Sequence, residues 1–134
     1  MTVLYDAGLL TAADRNDREV WADHRVRLEL GVVPVTTAPV VSQVSRSNRQ
    51  VQLRRLLRGC EILAFAAEEM HEVGDLLGRA GSSDVVDAHV VVTASRRGSS
   101  VITSDDEDLG RLSDCLRPPV AIHHVRARRR PRQP

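Results

Sequence analysis

The chain of 134 residues, with 42% hydrophobic and 28% charged side chains, has the length and composition expected of one compact globular domain. Its net charge is +1, and all 19 cationic side chains are arginine, so the lack of lysine excludes Walker-A NTPases and response-regulator receivers. Only Tyr5, Trp21 and Phe65 are aromatic, which excludes a nucleic-acid surface that depends on base stacking.

Strands and helices are predicted in alternation along the chain. Short apolar runs predict strands at TVLY, which ends before Asp6, and then at VVPVTT, EILAF, Val101–Thr103 and VAIHHV. Apolar residues three or four positions apart predict helices over DREVWADHRVRLEL, over APVVSQVSR with Thr36 or Thr37 as its cap, over Asn48–Arg58, over AAEEMHEVGDLLGRAG and over Ser83–Arg97. This alternation predicts an α/β fold in which a parallel sheet is covered by helices on both faces.

Carboxylates follow the strands in an orderly way. Six aspartates lie at such positions: Asp6 after the first strand, Asp84 and Asp87 at the start of an apolar helix, and Asp105, Asp106 and Asp108 after the strand at 101–103. In open α/β sheets, ligands bind at the carboxyl ends of the strands, where helix N-termini also point. Crowded carboxylates repel one another unless a cation lies among them, and Mg²⁺ prefers oxygen ligands. The pattern therefore predicts a divalent-metal site able to activate water.

Each acid also has a simpler interpretation. Asp84 and Asp87 can be the N-cap and the third residue of a helix, and Asp6 can be a turn residue. The run SDDED can be a solvated loop that opens a short helix, EDLGRL. The metal-site hypothesis depends on the joint pattern rather than on any single member.

Three segments carry a resemblance to a known family: VLYDAGLLTAADRND, GRAGSSDVVDAHVVVTASRRG and VITSDDEDL. The sequence resembles the PIN-domain family and, within it, the VapC-type toxins of bacterial toxin–antitoxin pairs, from Val3 to about Val125. The resemblance implies a PIN-like three-layer α/β/α fold over residues 1–125, with a small parallel sheet flanked by helices. It also implies Mg²⁺- or Mn²⁺-dependent cleavage of RNA.

The resemblance assigns roles by position. Asp6, Asp87 and Asp105 match the family's catalytic metal ligands. Four further residues match supporting positions, and these are Asp84, Asp108, Thr103 and Gln43. Arg15 and Arg46 are candidate contacts to RNA phosphates. Arg46 belongs to an arginine cluster completed by Arg49, Arg54, Arg55 and Arg58. A solvated helix face is the alternative interpretation of that cluster.

Gln43 departs from the family pattern, which commonly has a glutamate on the helix after the second strand. A glutamine can ligate through its carbonyl oxygen, but it brings no charge and cannot act as a base. Either Asp84 supplies the missing charge, or metal affinity is lower and cleavage is slower than in relatives with the full set. The alternative function is a PIN-fold module that binds RNA or protein without cutting.

The segment 126–134, RARRRPRQP, carries five arginines and no acid, so residues 1–125 have a net charge of −4. Since it has almost nothing apolar to bury, it is predicted to be a disordered C-terminal tail. Two interpretations stay open: a solubilising extension, and an arm that contacts phosphates.

Partners and location are also predicted. The resemblance implies an RNA substrate, a cognate antitoxin that covers the acidic groove, and a homodimer. No apolar run approaches the roughly 20 residues of a membrane span, and no signal peptide is visible, which predicts a cytoplasmic protein away from membranes. Cys60 and Cys115 are too isolated for a zinc site or a disulfide framework, and His89 is predicted to be a core or interface residue.

Overall fold

A five-stranded, all-parallel sheet organises the protein, whose computed structural model describes residues 2–104 and 107–125. The strands are β1 (Val3–Tyr5), β2 (Val35–Thr37), β3 (Glu61–Leu63), β4 (Ser100–Thr103) and β5 (Ile122–His124). Their order across the sheet is β3-β2-β1-β4-β5, so β1 lies at the centre between β2 and β4. The predicted three-layer α/β/α fold is confirmed.

Helices cover the sheet within the described ranges. They are α1 (Ala7–Asp14), α2 (Arg18–Glu29), α3 (Ala38–Val44), α4 (Val51–Leu57), α5 (Met70–Ala80), α6 (Val85–Arg97) and α7 (Glu107–Ser113), with a 3₁₀ turn at Ala67–Glu69 before α5. Among the described residues, no helix combines the length and the apolarity that crossing a bilayer requires.

Helix α1 is the element that the sequence patterns missed. It begins directly after β1, and its apolar residues Leu9, Leu10, Ala12 and Ala13 are all buried. None of the other residues in this eight-residue helix is exposed, so the helix has no solvated polar face from which a period could be recognised. The helix predicted at 48–58 is also shorter than expected: it begins only at Val51, because the Gln50 side chain bonds to the backbone of the preceding segment.

Helix α6 lies in the buried core of the fold, as its apolar sequence predicts. Every residue from Ala88 to Ala94 is buried. His89 is confirmed as a core residue: it is fully buried, and its ring stacks on Phe65 with a centroid separation of 4.2 Å. Its Nε2 lies 3.2 Å from Glu69 Oε2, although the geometry is not that of a hydrogen bond. The contacts of His89 thereby anchor α6 shortly after Asp84 and Asp87.

A polar network holds α2 against the central strand. The hydroxyl of Tyr5 lies 2.8 Å from His24 Nδ1 and accepts a hydrogen bond of 2.8 Å from Arg27 Nη1. Asp23 pairs with the same guanidinium at 2.6 Å. Burial raises the pKa of the Tyr5 hydroxyl, so this group stays a neutral donor. The network immobilises the residue that precedes Asp6.

Gln50 organises the loop between α3 and α4. Its Nε2 donates to Asp14 Oδ2 and to the Val44 carbonyl, both at 3.0 Å. Its Oε1 accepts from the backbone N–H groups of Arg46 at 2.7 Å and Ser47 at 3.1 Å. One side chain therefore ties α1 to the loop that carries Arg46.

Replacing Gln50 with alanine is expected to lower the free energy of unfolding by about 1–3 kcal/mol, because four hydrogen bonds lose their shared partner. Gln50→Glu keeps the acceptor but loses both donors and opposes Asp14, so it should also destabilise. Chemical denaturation measures both effects. Gln43→Ala, at an exposed position of α3, is the control and should unfold like the unmodified protein; an equally stable Gln50→Ala protein would contradict the assignment.

Candidate metal centre

The site is built where the two central strands end side by side. Strands β1 and β4 run in parallel, and Tyr5 lies opposite Ile102. The next residue of each segment, Asp6 and Thr103, therefore lies at the same level of the sheet. The Thr103 hydroxyl donates a 2.6 Å hydrogen bond to Asp6 Oδ2. Both residues are buried, with Asp6 only 3% exposed. A buried carboxylate is thus placed at the carboxyl edge of the sheet.

Asp6 is also the N-cap of α1. Its Oδ1 accepts a 2.9 Å hydrogen bond from the backbone N–H of Leu9. The helix N-terminus stabilises the negative charge, while Thr103 holds the other oxygen. The turn interpretation and the ligand interpretation of Asp6 are therefore compatible, because capping sets the orientation that a ligand would need.

Asp84 and Asp87 lie at the start of α6. Asp84 is the N-cap, and its Oδ1 accepts a 3.0 Å hydrogen bond from the backbone N–H of Asp87. Asp84 itself is held by a 3.1 Å bond from its N–H to Ser82 Oγ. The simpler interpretation of Asp84 as a helix cap is thus what the structure shows. The cap places the Asp87 carboxyl on the first turn of the helix.

The acids interact with one another across the fold. Burial raises the pKa of Asp87, and the negative charges of Asp84, Asp6 and Asp108 act in the same direction, so that together they bring it from 3.8 to about 7. These neighbours come from three separate segments: the end of β1, the start of α6, and α7. We call these four residues the acid cluster: Asp6, Asp84, Asp87 and Asp108. Near neutral pH the positive charge beside the acid cluster does not balance its negative charge.

The donor chemistry of the acid cluster suits a hard divalent cation, because all of its side-chain donors are carboxylate oxygens and a cation would replace the proton on Asp87. The third predicted ligand, Asp105, lies outside the described residues. Within residues 2–104 and 107–125, no three His, Cys, Asp or Glu side chains are arranged to hold a metal ion. A complete ligand set would therefore need a donor from outside the described residues, and Asp105 is the predicted one.

The other residues predicted to support the site or to bind RNA lie on α7, on α3, at the end of α1 and in the loop after α3. Asp108 is exposed on α7 and pairs with Arg111 at 3.1 Å. Gln43 is exposed on α3. Arg15 is at the opposite end of α1 from Asp6, about 13 Å along the helix axis. Arg46 is exposed in the following loop, where its Nη1 donates to a neighbouring carbonyl. Phosphate contacts by the last two residues stay predictions.

Arg111 is a candidate functional residue that sequence reasoning missed. A cleft of about 280 Å³ is lined by Ser82, Ser83, Asp84, Asp108 and Arg111, among others. The lining of the cleft therefore combines two carboxylates of the acid cluster with one guanidinium and two serine hydroxyls. The i,i+3 spacing of Asp108 and Arg111 on a short helix was the available signal. It did not show that Arg111 shares a cleft with Asp84.

Comparisons with known proteins give a family match and several similar folds. The family model described as PIN domain matches residues 6–114. Comparison with curated proteins gives no significant sequence match. Solved structures are similar in fold, and at identities this low that likeness shows the fold alone.

Three of these structures span most of the chain. VapBC2 from Rickettsia felis, bound to a DNA fragment from its promoter, is 15% identical and has a TM-score of 0.70, covering 92% of this chain and 98% of that one. A toxin–antitoxin complex from Klebsiella pneumoniae is 17% identical, with a TM-score of 0.63 and coverage of 79% and 88%. PAE2754 from Pyrobaculum aerophilum is 19% identical, with a TM-score of 0.59 and coverage of 83% and 87%.

Proposed function

Because this chain belongs to the PIN-domain family, we propose that it is a Mg²⁺- or Mn²⁺-dependent endoribonuclease that acts as the toxin of a toxin–antitoxin pair. The observation that carries the proposal is the acid cluster at the carboxyl edge of the sheet, where burial and the neighbouring carboxylates raise the pKa of Asp87. Carboxyls with strongly perturbed pKa values cluster at functional sites.

The residues have distinct tasks in this proposal. Asp6 and Asp87, with Asp105 from outside the described residues, would hold the cation. When bound, the cation supplies positive charge for the phosphate and lowers the pKa of the attacking water. Thr103 orients the Asp6 carboxylate through its 2.6 Å hydrogen bond. Asp84 sets the start of α6 and adds negative charge beside Asp87.

Substrate phosphates would meet the arginine at the cleft. Arg111 pairs with Asp108 at 3.1 Å in an exposed position, with side-chain exposures of 76% and 69%. An exposed ion pair of this kind is weak, so a phosphate can take over the guanidinium at little cost. Arg111 would thereby offer a phosphate contact in the cleft that Asp84 and Asp108 also line.

The toxin part of the proposal is supported by the similar structures, two of which are described as toxin–antitoxin assemblies or come from a VapBC pair. The acid cluster would attract an arginine of a cognate antitoxin by charge alone. A homodimer and a cytoplasmic location, where RNA substrates are found, complete the proposal. A short protein encoded in the adjacent upstream reading frame should copurify with this chain and inhibit it.

The direct test is an RNA cleavage assay with the purified full chain in Mg²⁺, in Mn²⁺ and in EDTA. We expect single-stranded RNA to be cut in the presence of either metal and to stay intact in EDTA. Folded protein that binds RNA and leaves it intact in every metal would instead support the alternative, a non-cleaving PIN-fold module. Gln43 is the observation that favours this alternative, because it supplies no charge where a glutamate is common.

Replacing Gln43 with glutamate tests its share in metal binding. If the missing charge weakens the site, Gln43→Glu should tighten Mn²⁺ binding about tenfold, which corresponds to about 1.4 kcal/mol, because a fourth carboxylate would join the three proposed ligands. Isothermal titration calorimetry measures the change. Ser42→Glu adds the same charge at the next exposed position of α3 and should have a smaller effect. Unchanged affinity in Gln43→Glu would leave Asp84 as the source of the missing charge.

A further inference from the structure

Helix α2 is attached to the rest of the fold by few buried side chains. Of its twelve residues, all of which the structure describes, Val20 and His24 alone are buried. Three apolar residues near its C-terminal end are partly exposed: Val26 by 55%, Leu28 by 40% and Leu30 by 75%. This end of the helix therefore gains little stability from apolar burial. The polar network with the central strand has to hold it in place.

The hydrogen bonds of this network fix the protonation state of His24. The Tyr5 hydroxyl carries one hydrogen and accepts a 2.8 Å hydrogen bond from Arg27 Nη1. Because an arginine only donates, the hydroxyl hydrogen is left for His24 Nδ1, which lies 2.8 Å away. Nδ1 is then an acceptor, so the imidazole is neutral and carries its hydrogen on Nε2. A proton on Nδ1 would deprive the buried hydroxyl hydrogen of its acceptor.

The charges of α2 and of the neighbouring helix also act on this histidine. Burial lowers the pKa of His24, the guanidinium of Arg27 acts in the same direction, and Asp23 opposes both. The Asp23 carboxylate is already paired with Arg27 at 2.6 Å. On α1, the Asp14 carboxylate is engaged by Gln50 at 3.0 Å. A charged imidazole would therefore have to compete with Arg27 for its counter-ion.

The groups that reach His24 from other elements are neutral or cationic. Strand β1 contributes the Tyr5 hydroxyl, and the nearby Cys60 thiol stays neutral because burial raises its pKa to about 12. Trp21 packs edge-on against the imidazole, with a centroid separation of 5.7 Å. Arg55 of α4 lies over that indole at 5.0 Å from its centroid. These surroundings favour a neutral imidazole.

We propose that Tyr5, His24 and Arg27 form a proton-sensitive latch, and that acid releases the C-terminal half of α2 from β1, the strand that leads to Asp6. In the closed latch His24 stays neutral, whereas after release it binds a proton near its ordinary pKa of 6.5. The latch therefore has its full strength above that pH and weakens as the pH falls below it. Uptake of one proton shifts such an equilibrium by up to about tenfold per pH unit.

Hydrogen–deuterium exchange of the full chain in EDTA, from about pH 7 to about pH 5, measures this release. Rates are corrected for the intrinsic pH dependence of amide exchange. We expect the opening equilibrium of residues 24–29 to rise by up to about tenfold per pH unit below pH 6.5, while residues 88–94 of α6 lose no protection. The emission of Trp21, the only tryptophan of the chain, should change over the same range.

Three substitutions separate the latch from ordinary packing. His24→Asn keeps an acceptor for the Tyr5 hydroxyl close to the position of Nδ1 but binds no proton, so its α2 should stay protected down to about pH 5. Tyr5→Phe removes the shared hydroxyl and should open α2 at neutral pH. The control is His71→Asn, at an exposed position of α5, which should keep the pH dependence of the wild type.

Three results would overturn the latch. The first is an opening of α2 in the wild type that does not depend on pH. The second is a pH dependence that persists in His24→Asn, because another group would then titrate. The third is a parallel loss of protection in residues 88–94, because the whole chain would then unfold. Protonation of Asp87 stabilises the fold as the pH falls, so it acts in the opposite direction. The latch needs neither RNA nor a metal ion, so the cleavage assay tests the proposed function separately.

Discussion

Asp87→Asn is expected to abolish metal-dependent RNA cleavage while the chain keeps its fold. Loss of a residue that only orients a metal ligand typically lowers activity 10- to 100-fold, so loss of a ligand should lower it by more than about 100-fold. Asparagine keeps the size of the side chain and cannot carry the charge. Single-turnover cleavage in Mn²⁺ measures the loss. The control, Asp75→Asn at an exposed position of α5, should cleave normally.

The same substitution should change how stability depends on pH in EDTA. Burial, together with Asp84, Asp6 and Asp108, raises the pKa of Asp87 from 3.8 to about 7 in the folded chain. Below about pH 4 the carboxyl is protonated in both states. Between pH 4 and pH 7 the unfolded chain releases the proton and the folded chain keeps it, so the wild type loses stability as pH rises.

The melting temperature of Asp87→Asn should therefore rise relative to the wild type from pH 4 to pH 7 and then level off. Saturating Mn²⁺ should stabilise the wild type and have little effect on the variant, because binding to the folded state alone raises its stability. Metal binding near pH 6 should also release a proton. Cleavage that survives the substitution, or a wild type that gains on the variant over this pH range, would contradict the role of Asp87.

Asp6 is expected to combine a structural role with its role in cleavage, and two substitutions separate them. Asp6→Ala should lower the free energy of unfolding by about 2–4 kcal/mol, because the Leu9 N–H loses its cap and the buried Thr103 hydroxyl loses this acceptor. Asp6→Asn keeps an oxygen for the cap and should lose less stability. Both variants should be inactive, because neither carries the charge.

Urea denaturation in EDTA and the cleavage assay measure these two effects. Asp17 is the matched control, because it caps α2 with a 3.1 Å hydrogen bond from the Val20 N–H but lies outside the acid cluster. Asp17→Ala should lose about 1 kcal/mol and should cleave RNA normally. An Asp6→Asn protein that retains cleavage would remove Asp6 from the proposed ligand set, even if the alanine variant is unstable.

Several features of the site region follow from short stretches of sequence. The buried helix α6 was predicted from its apolar residues, its start from Asp84 and its end from Gly98, which adopts a left-handed backbone with a φ of 63°. Thr37 was one of two predicted caps for α3, and it accepts the hydrogen bond from Val40. These features depend on residues within four positions of one another, so local patterns are sufficient to predict them.

Other features needed the folded chain. Helix α1 was missed because other elements cover all of its residues at least partly, and the cleft beside Arg111 was missed because its walls come from α5, from α7 and from the loop that ends at Asp84. The position of Gln50 at the centre of four hydrogen bonds involves α1, 36 residues earlier in the sequence. In each case the partners are close in space and distant along the chain.

By itself the sequence determined the α/β class, the alternation of strands and helices, and the positions of the aspartates at strand ends and helix starts. Only the tertiary structure decided that Asp6, Asp84, Asp87 and Asp108 act on one another, and that Thr103 holds the Asp6 carboxylate. The reason is physical: helix caps and apolar periods are local, whereas electrostatic repulsion depends on distances in space. Those distances follow from the strand order, which brings β1, β4 and β5 side by side.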